Sequence, residues 1–369
     1  MSERTAGAAP TPGQDGRLVQ ASEEHDGPAG ALCEESLAQA REEVLERLRS
    51  DRRFVLAAHE SPDGDALGSL VAMHGLLGAI GKDAVMFVAA GDLPLPYEYR
   101  DFFDLEGVIE QPPSDIAERT VVFLDCGNID RNSAPALQRA RHVLNIDHHH
   151  DNTRFGTLNY VVPSASCTAE IVWELMHGLE LEASPPIAQA LYIALITDTG
   201  RFMYENTGPR AHLMAAELIE AGVDVQEVYR RLYEEMPEAK VLLLALALGR
   251  MQRFDAGELT LAALSAEDFR KLDAQDSFAE GIVDHLRAVH GTKVAALVRE
   301  LGSGPRGGQH KVSLRASDDD VDVSAIARSQ AGGGHRRAAG FSTTLELSEL
   351  IAFLRGAIAE QLHPAPAPA

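Results

Sequence analysis

Apolar positions along this chain follow two rhythms. Compact runs occur at Phe54-Val55-Leu56-Ala57-Ala58, Val85-Met86-Phe87-Val88, Val121-Val122-Phe123-Leu124 and Val143-Leu144-Asn145-Ile146. Short apolar runs bounded by polar residues predict buried strands. Between and around them the period lengthens: Leu37, Val44, Leu45 and Leu48 fall on one side of a helix, and helices are predicted over 66–80, 186–196 and 209–221. Strands interleaved with helices predict an α/β fold with a mostly parallel, doubly wound sheet. The stretch from Val225 to Met251 reads as a long helix interrupted near Pro237, a natural connector. After Arg253 the grammar restarts, with strands at 259–264, 294–298, 312–314 and 341–344. Helices are predicted near Ala266 and Phe278, over 323–328 and up to about Gln361. The expected organisation is therefore an N-terminal unit over 33–225, a helical linker over 226–253 and a smaller α/β unit over 254–361. Residues 1–32 and 362–369, full of Gly, Pro and Ala, are expected to be disordered tails.

Charge narrows the function classes. With 33 basic and 56 acidic residues, the formal net charge is −23. Proteins that coat long DNA or RNA need a basic footprint to displace counterions, so that class is disfavoured. A small anionic substrate held by local groups is not. The longest aliphatic run, Leu242 to Leu248, is far shorter than the ~20 residues that cross a bilayer. The first thirty residues carry no apolar core flanked by positive charge, so no signal peptide is expected. Cys33, Cys126 and Cys167 form no paired spacing, which points to reduced thiols, a cytoplasmic location and no disulfide framework or zinc knuckle.

The acidic and histidine residues carry the chemistry, because they follow predicted elements. In open α/β sheets, ligands bind beyond the carboxyl ends of the strands. His59, Asp63 and Asp65 follow the first run, Asp125 follows the third, and Asp147-His148-His149-His150 follow the fourth. Asp198 follows the helix that starts near Pro186. Each has a plain alternative: Pro62 and Gly64 favour a turn, Asp65 could cap a helix, and Asp125 or Asp198 could sit in ordinary loops. That all the plain readings hold at once is hard to credit. Carboxylates with a minority of imidazoles suit two divalent ions sharing a bridging carboxylate, with Mn²⁺ the first expectation and Mg²⁺ or Co²⁺ the others. Such a pair activates water and neutralises phosphate oxygens. No Gly-x-Ser-x-Gly elbow, P-loop or dinucleotide-binding glycine fingerprint is present.

A second candidate site is Gly332-Gly333-Gly334-His335-Arg336-Arg337. Consecutive glycines let backbone N–H groups approach an anion, and the flanking cations add charge-assisted donors. The alternative is a plain flexible turn. Arg315 is a further anion-binding candidate with a solvated side chain as its alternative, and Asp318 to Asp320 read as a solvated loop.

These motifs, in this order, resemble the DHH phosphoesterase superfamily, and Gly332-Gly333-Gly334-His335 with Ala338-Ala339-Gly340 resembles its DHHA1 C-terminal domain. The resemblance covers about residues 36–361, and its two-unit content is most similar to the NrnA-type oligoribonucleases. It implies hydrolysis of oligonucleotides of a few residues to mononucleotides, and removal of the 3′-phosphate of 3′-phosphoadenosine 5′-phosphate (pAp). Carried over by motif, His59, Asp63 and Asp125 hold one metal, while Asp65, Asp125, His148 and Asp198 hold the other. His149 faces the scissile phosphate and Asp147 orients its neighbours. His335 with its glycines grips the far end of the substrate, assisted by Arg315, and Arg201 touches phosphate. The implied partners are short RNA or DNA oligonucleotides or small nucleotides, with no long nucleic acid, no membrane, and a homodimer left open. The family commonly has four glycines, and here Ala331 stands in the first place. His150 has no assigned role. The nearest rival is a phosphodiesterase for cyclic dinucleotides or their linear products. A family II pyrophosphatase shares only the first four motifs, and an exonuclease on long single strands conflicts with the length and charge. A non-catalytic nucleotide-binding module would show a lost ligand, and none is missing.

Overall fold

The computed structural model describes residues 28–96, 98–100, 102–103, 108–132, 134–302 and 309–363, with side chains from 36 onward. The predicted tails over 1–27 and 364–369 lie outside the described residues. The N-terminal part comprises α1 (Pro28–Ser50), β1 (Arg53–Ala57), α2 (Gly64–Ala79), β2 (Asp83–Met86), β3 (Thr120–Leu124), β4 (His142–Asp147), β5 (Leu158–Val161), α3 (Thr168–Gly178), α4 (Pro185–Asp198) and α5 (Pro209–Glu220). Thus α1 starts at Pro28, inside the segment expected to be tail; proline suits a first helical turn, where its missing N–H costs nothing.

The five strands pair in the order β2-β1-β3-β4-β5, all parallel. Alternate residues point to opposite faces. Phe54, Leu56, Val122 and Leu124 face one core, with α1, α2, α3 and α4 packed over it. Val55, Ala57, Val121 and Phe123 face a smaller core closed by Leu137 and its neighbouring 3₁₀ turns. The chain leaves β1 for β2 on one side and reaches β3 on the other, so strand order reverses between β1 and β3. That is where a crevice opens in such sheets, and it is where His59 and Asp125 follow their strands.

Helices α2 and α4 bring two further segments there. A Cβ placed on Gly68 would lie 2.4 Å from the Ala190 carbonyl oxygen and 2.8 Å from the Ala194 Cβ. The absent side chain lets α2 start, and α4 end, beside each other at the crevice. Gly68→Ala is therefore expected to cost about 1–3 kcal/mol by overpacking, read as a lowered midpoint in chemical denaturation.

The linker is not one helix. α6 (Val225–Tyr229) runs into a π-helical segment at Arg230–Glu234, and α7 (Glu238–Gly249) starts only after Pro237. The C-terminal part contains β6 (Gln252–Phe254), β7 (Leu259–Leu264), α8 (Ala266–Leu272), α9 (Ile282–Arg287), β8 (Val294–Glu300), β9 (His310–Ala316), α10 (Val323–Arg328), β10 (Gly333–His335), β11 (Ala338–Thr343) and α11 (Leu347–Leu362). Its sheet runs β10-β11-β9-β8-β7-β6, parallel at β7/β8 and antiparallel elsewhere. The glycine-rich stretch, expected as a turn, is the edge strand β10 of this sheet. Among the described residues, no helix is long and apolar enough to cross a membrane.

Candidate active site

The crevice collects the predicted ligands into two adjoining groups, one of which contains Asp125. His59, Asp63 and Asp125 form one, and Asp65, His148 and Asp198 the other, with Asp125 Oδ1 3.7 Å from His148 Nε2. Asp125 lies at the end of β3 with φ of 56°, in the left-handed region that Asp tolerates better than most residues. That conformation turns its carboxylate back across the crevice, with Oδ2 3.4 Å from His59 Nε2 and Oδ1 accepting from Thr168 Oγ1 at 3.2 Å.

Ring orientation separates the histidines. His59 Nδ1 donates to the Glu60 carbonyl at 2.8 Å, which leaves Nε2 facing Asp125. His148 Nδ1 points to the Ala165 carbonyl at 3.4 Å, and Nε2 faces Asp65 at 3.9 Å and Asp198 at 3.7 Å. His149 is the reverse: its Nδ1 donates to Asp147 Oδ1 at 2.8 Å, freeing Nε2 for the cleft. Asp147 is itself held, accepting from the His148 backbone N–H at 2.9 Å and from Asn152 Nδ2 at 2.5 Å.

Carboxylates are crowded here. Burial, then the charges of Asp125 and Asp198, push Asp65 well above the usual carboxylate range. Burial, then Asp125 and Asp63, raise Asp198 well above that range as well. Burial opposes ionisation of Asp125, but contact with His59 and the charges of His149 and His148 outweigh it and hold this carboxyl low. For His149, burial is outweighed by Asp147 and Asp125, which hold the ring up at about 10.

This donor set fits divalent cations. N···O separations of 3.4–3.9 Å are at or beyond hydrogen-bond reach, yet they suit two ligands each about 2.1 Å from a shared ion. Buried carboxylates that raise one another's pKa are stable as anions only with positive charge among them. The donors are oxygen and imidazole nitrogen without thiolate; the neighbouring Cys126 is in none of these groups, and its Sγ donates to the Asn128 carbonyl instead.

Several supporting residues were not foreseen. The backbone N–H groups of Thr168 and Ala169, at the start of α3, donate to Asp65 at 2.7 and 3.0 Å, and Ser69 Oγ adds a third bond. Asn206 Nδ2 donates to Asp198 Oδ2 at 3.0 Å. Asp63, rather than Asp65, caps α2, with Oδ1 accepting from the backbone of Asp65 and Ala66.

His335 arrives from the other sheet. Its ring stacks on His149 with centroids 4.3 Å apart, and lies 5.1 Å from His148. The expectation of a grip at the far end of the substrate thus meets a different placement, directly over the ligand cluster, because β10 lies at the sheet edge that faces the crevice. Burial first, then His149 and His148, push His335 down to about 2, so it enters as a neutral imidazole. Gly334, at φ of 135°, would put a Cβ 2.5 Å from the Ala338 carbonyl, so this approach requires glycine. Gly332 is equally crowded, against the Gly340 carbonyl at 2.2 Å, whereas Gly333 faces open space. Ala331, in the place of a fourth glycine, sits at φ of 58°, a conformation glycine adopts more cheaply. Arg315 reaches the cleft, 3.4 Å from Asp284, and its charge favours ionised Asp198. Arg201 does not join the cluster: its guanidinium lies over the Tyr233 ring, 5.0 Å from the centroid.

Two family models match this chain: the DHH family, N-terminal domain, over residues 53–195, and the DHHA1 domain over residues 262–360. A bifunctional oligoribonuclease and PAP phosphatase NrnA from Thermus thermophilus is 33% identical over 83% of this chain and 89% of its own length. The chain belongs to the DHH/DHHA1 phosphoesterase family. In this DHH/DHHA1 protein, Asp147-His148-His149 is the eponymous triplet, and all six predicted ligands stand in one crevice of the DHH part. A probable NrnA from Streptococcus mutans is 25% identical over 80% of the chain and 91% of its own length. An exopolyphosphatase-related protein from Bacteroides fragilis shares the fold, with a TM-score of 0.78 at 21% identity over 88% of this chain and 96% of that one. Family membership makes the protein a metal-dependent hydrolase of phosphoesters.

Proposed function

We propose that this protein hydrolyses short oligoribonucleotides, from dinucleotides to about five-mers, to mononucleotides, and removes the 3′-phosphate of pAp. The observation that carries this reading is the pair of adjoining ligand groups, with Asp125 of one 3.7 Å from His148 of the other, beneath His335, in a chain whose Thermus thermophilus relative is named for both activities. His59, Asp63 and Asp125 would hold one divalent ion, and Asp65, Asp125, His148 and Asp198 the other, with Mn²⁺ the expected metal. When bound, such a pair supplies water activation and neutralises phosphate oxygens. The chain's own groups do the rest. Asp147 accepts from His149 Nδ1 and favours its charged ring, so that the Nε2–H can meet a phosphate oxygen, and the side chains over the cleft exclude bulk water. His335, neutral and able both to donate and to accept, anchors the substrate against the cluster.

The test is Mn²⁺-dependent hydrolysis of a panel: a 5′-labelled RNA dinucleotide, a five-mer, a 20-mer, pAp and cyclic di-AMP. Fast loss of the dinucleotide and pAp with a slow 20-mer is expected. Preference for the cyclic dinucleotide would replace this reading with turnover of a signalling nucleotide. His335→Ala is expected to raise KM about tenfold or more with kcat within a few-fold, the pattern of lost binding; a large fall in kcat at saturating substrate would contradict the anchoring role.

A further inference from the structure

The chain turns sharply just after Asp198. Gly200, Arg201 and Phe202 stand in succession at φ of 54°, 63° and 63°, all in the left-handed region. Only the first is glycine, and other residues keep this conformation where their surroundings impose it. Each of the three is braced by a ring. A Cβ on Gly200 would run into the Tyr204 ring, the Arg201 guanidinium lies over Tyr233, and Phe202 stacks on His212 with centroids 5.0 Å apart. Thr199 closes the turn, its carbonyl accepting from the backbone N–H groups of Met203 and Tyr204, each at 3.0 Å.

The turn delivers three consecutive side chains to three places. Tyr204 reaches the DHHA1 part: its hydroxyl donates to Asp284 Oδ1 at 3.3 Å, and Arg287 lies over its ring, 5.4 Å from the centroid. Both partners belong to α9. Glu205 reaches the same part at another point, pairing at 2.7 Å with Arg337, which links β10 to β11. Arg337 is itself fixed by Asp319 through bonds of 3.0 and 2.7 Å. Asn206 points the other way, into the ligand crevice. Its Nδ2 donates to Asp198 Oδ2 at 3.0 Å and to the Ser166 carbonyl at 2.7 Å. Ser166 stands just before Thr168 and Ala169, whose backbone N–H groups hold Asp65. One asparagine thus ties Asp198 to the segment that fixes Asp65, its neighbour in the same ligand group.

We infer that Tyr204 and Glu205 are positioning residues that couple the two parts of the chain to the metal centre. Docking of the DHHA1 part on them fixes the turn, and with it Asn206 and the Asp198 carboxylate, so the Asp65–His148–Asp198 group takes its ion more tightly when the parts are docked. Glu205 and Asn206 are adjacent in the chain, and the braced turn behind them leaves little slack between clasp and ligand. Coupling of this kind is reciprocal, so the bound ion in turn favours the docked arrangement. The inference rests on the proposed place of Asp198 among the metal ligands.

The experiment measures Mn²⁺ binding to the full chain by titration calorimetry, without substrate. Asp198→Ala identifies the ion concerned as the one it loses. Tyr204→Phe/Glu205→Gln keeps the ring and the size of both side chains. It is expected to raise the Kd of that ion about three- to tenfold and to leave the other within about twofold. Arg337→Gln, which meets the turn at Glu205 from the other part, is expected to shift the same ion in the same direction. Over Asn206→Ala, which cuts the link, the Tyr204→Phe/Glu205→Gln pair is expected to add less than about twofold, the non-additivity of groups acting in series. An unchanged Kd in Tyr204→Phe/Glu205→Gln or in Arg337→Gln, or a clasp effect undiminished over Asn206→Ala, would overturn the coupling and leave the ligand assignment standing. A wild type that binds fewer than two Mn²⁺, or an Asp198→Ala variant that keeps both, would overturn the assignment, and the coupling with it.

Discussion

Asp125→Ala is expected to lower kcat by at least about 10³-fold, more than the loss of a single anion-stabilising donor commonly costs. Its two carboxylate oxygens face different partners, His59 through Oδ2 and His148 through Oδ1, so one truncation unlinks both groups. The check is turnover together with metal content after dialysis, where the variant is expected to hold at most one Mn²⁺ per chain. Retention of most activity with two ions still bound would refute the shared-ligand arrangement.

Asp147→Asn is expected to lower kcat about 10²–10⁴-fold, the range over which a mis-set acid–base histidine acts. Asp147 Oδ1 receives the His148 N–H and His149 Nδ1, and Oδ2 receives Asn152 Nδ2, so both oxygens only accept. An asparagine places its NH₂ against a donor in either orientation. The His149 ring then loses its anionic acceptor, which favours its charge, and its position. Because Asp147 also lies in a group with Asp125 and His149 that could hold a cation, metal content decides its role. Two Mn²⁺ retained with kcat lost marks a positioning residue; an ion lost with it marks a ligand.

Much of this site was legible because its ligands end elements whose apolar runs are unmistakable. Phe54 to Ala58, Val121 to Leu124 and Val143 to Ile146 each announce a buried strand, and His59, Asp125 and Asp147 follow directly. What escaped was reached across the fold. Thr168 and Ala169 clamp Asp65 from 103 and 104 residues away, and no local spacing encodes that contact. β5 escaped because Leu158–Val161 is only four residues long and half-buried at one end. α3 begins at Thr168 after Cys167, an N-cap residue that makes no side-chain cap, so the usual start signal is missing. The interrupted linker was readable at Pro237, whereas the π-helical turn before it was not: wider helical turns answer to packing rather than composition. The glycine run, read as a place where backbone N–H groups approach an anion, is an edge strand packed closely against the Gly340 and Ala338 carbonyls, which glycine disguised because nothing in its side chains alternates.

The two parts of the chain divide the labour unequally. The six candidate ligands and the Asp147–His149 pair come from the first, while His335 comes from the second. Substitutions around His335 are therefore expected to change which phosphate compounds are admitted more than the chemistry that cleaves them. Grafting a relative's DHHA1 part onto this DHH part should accordingly transfer clientele while leaving the reaction type in place.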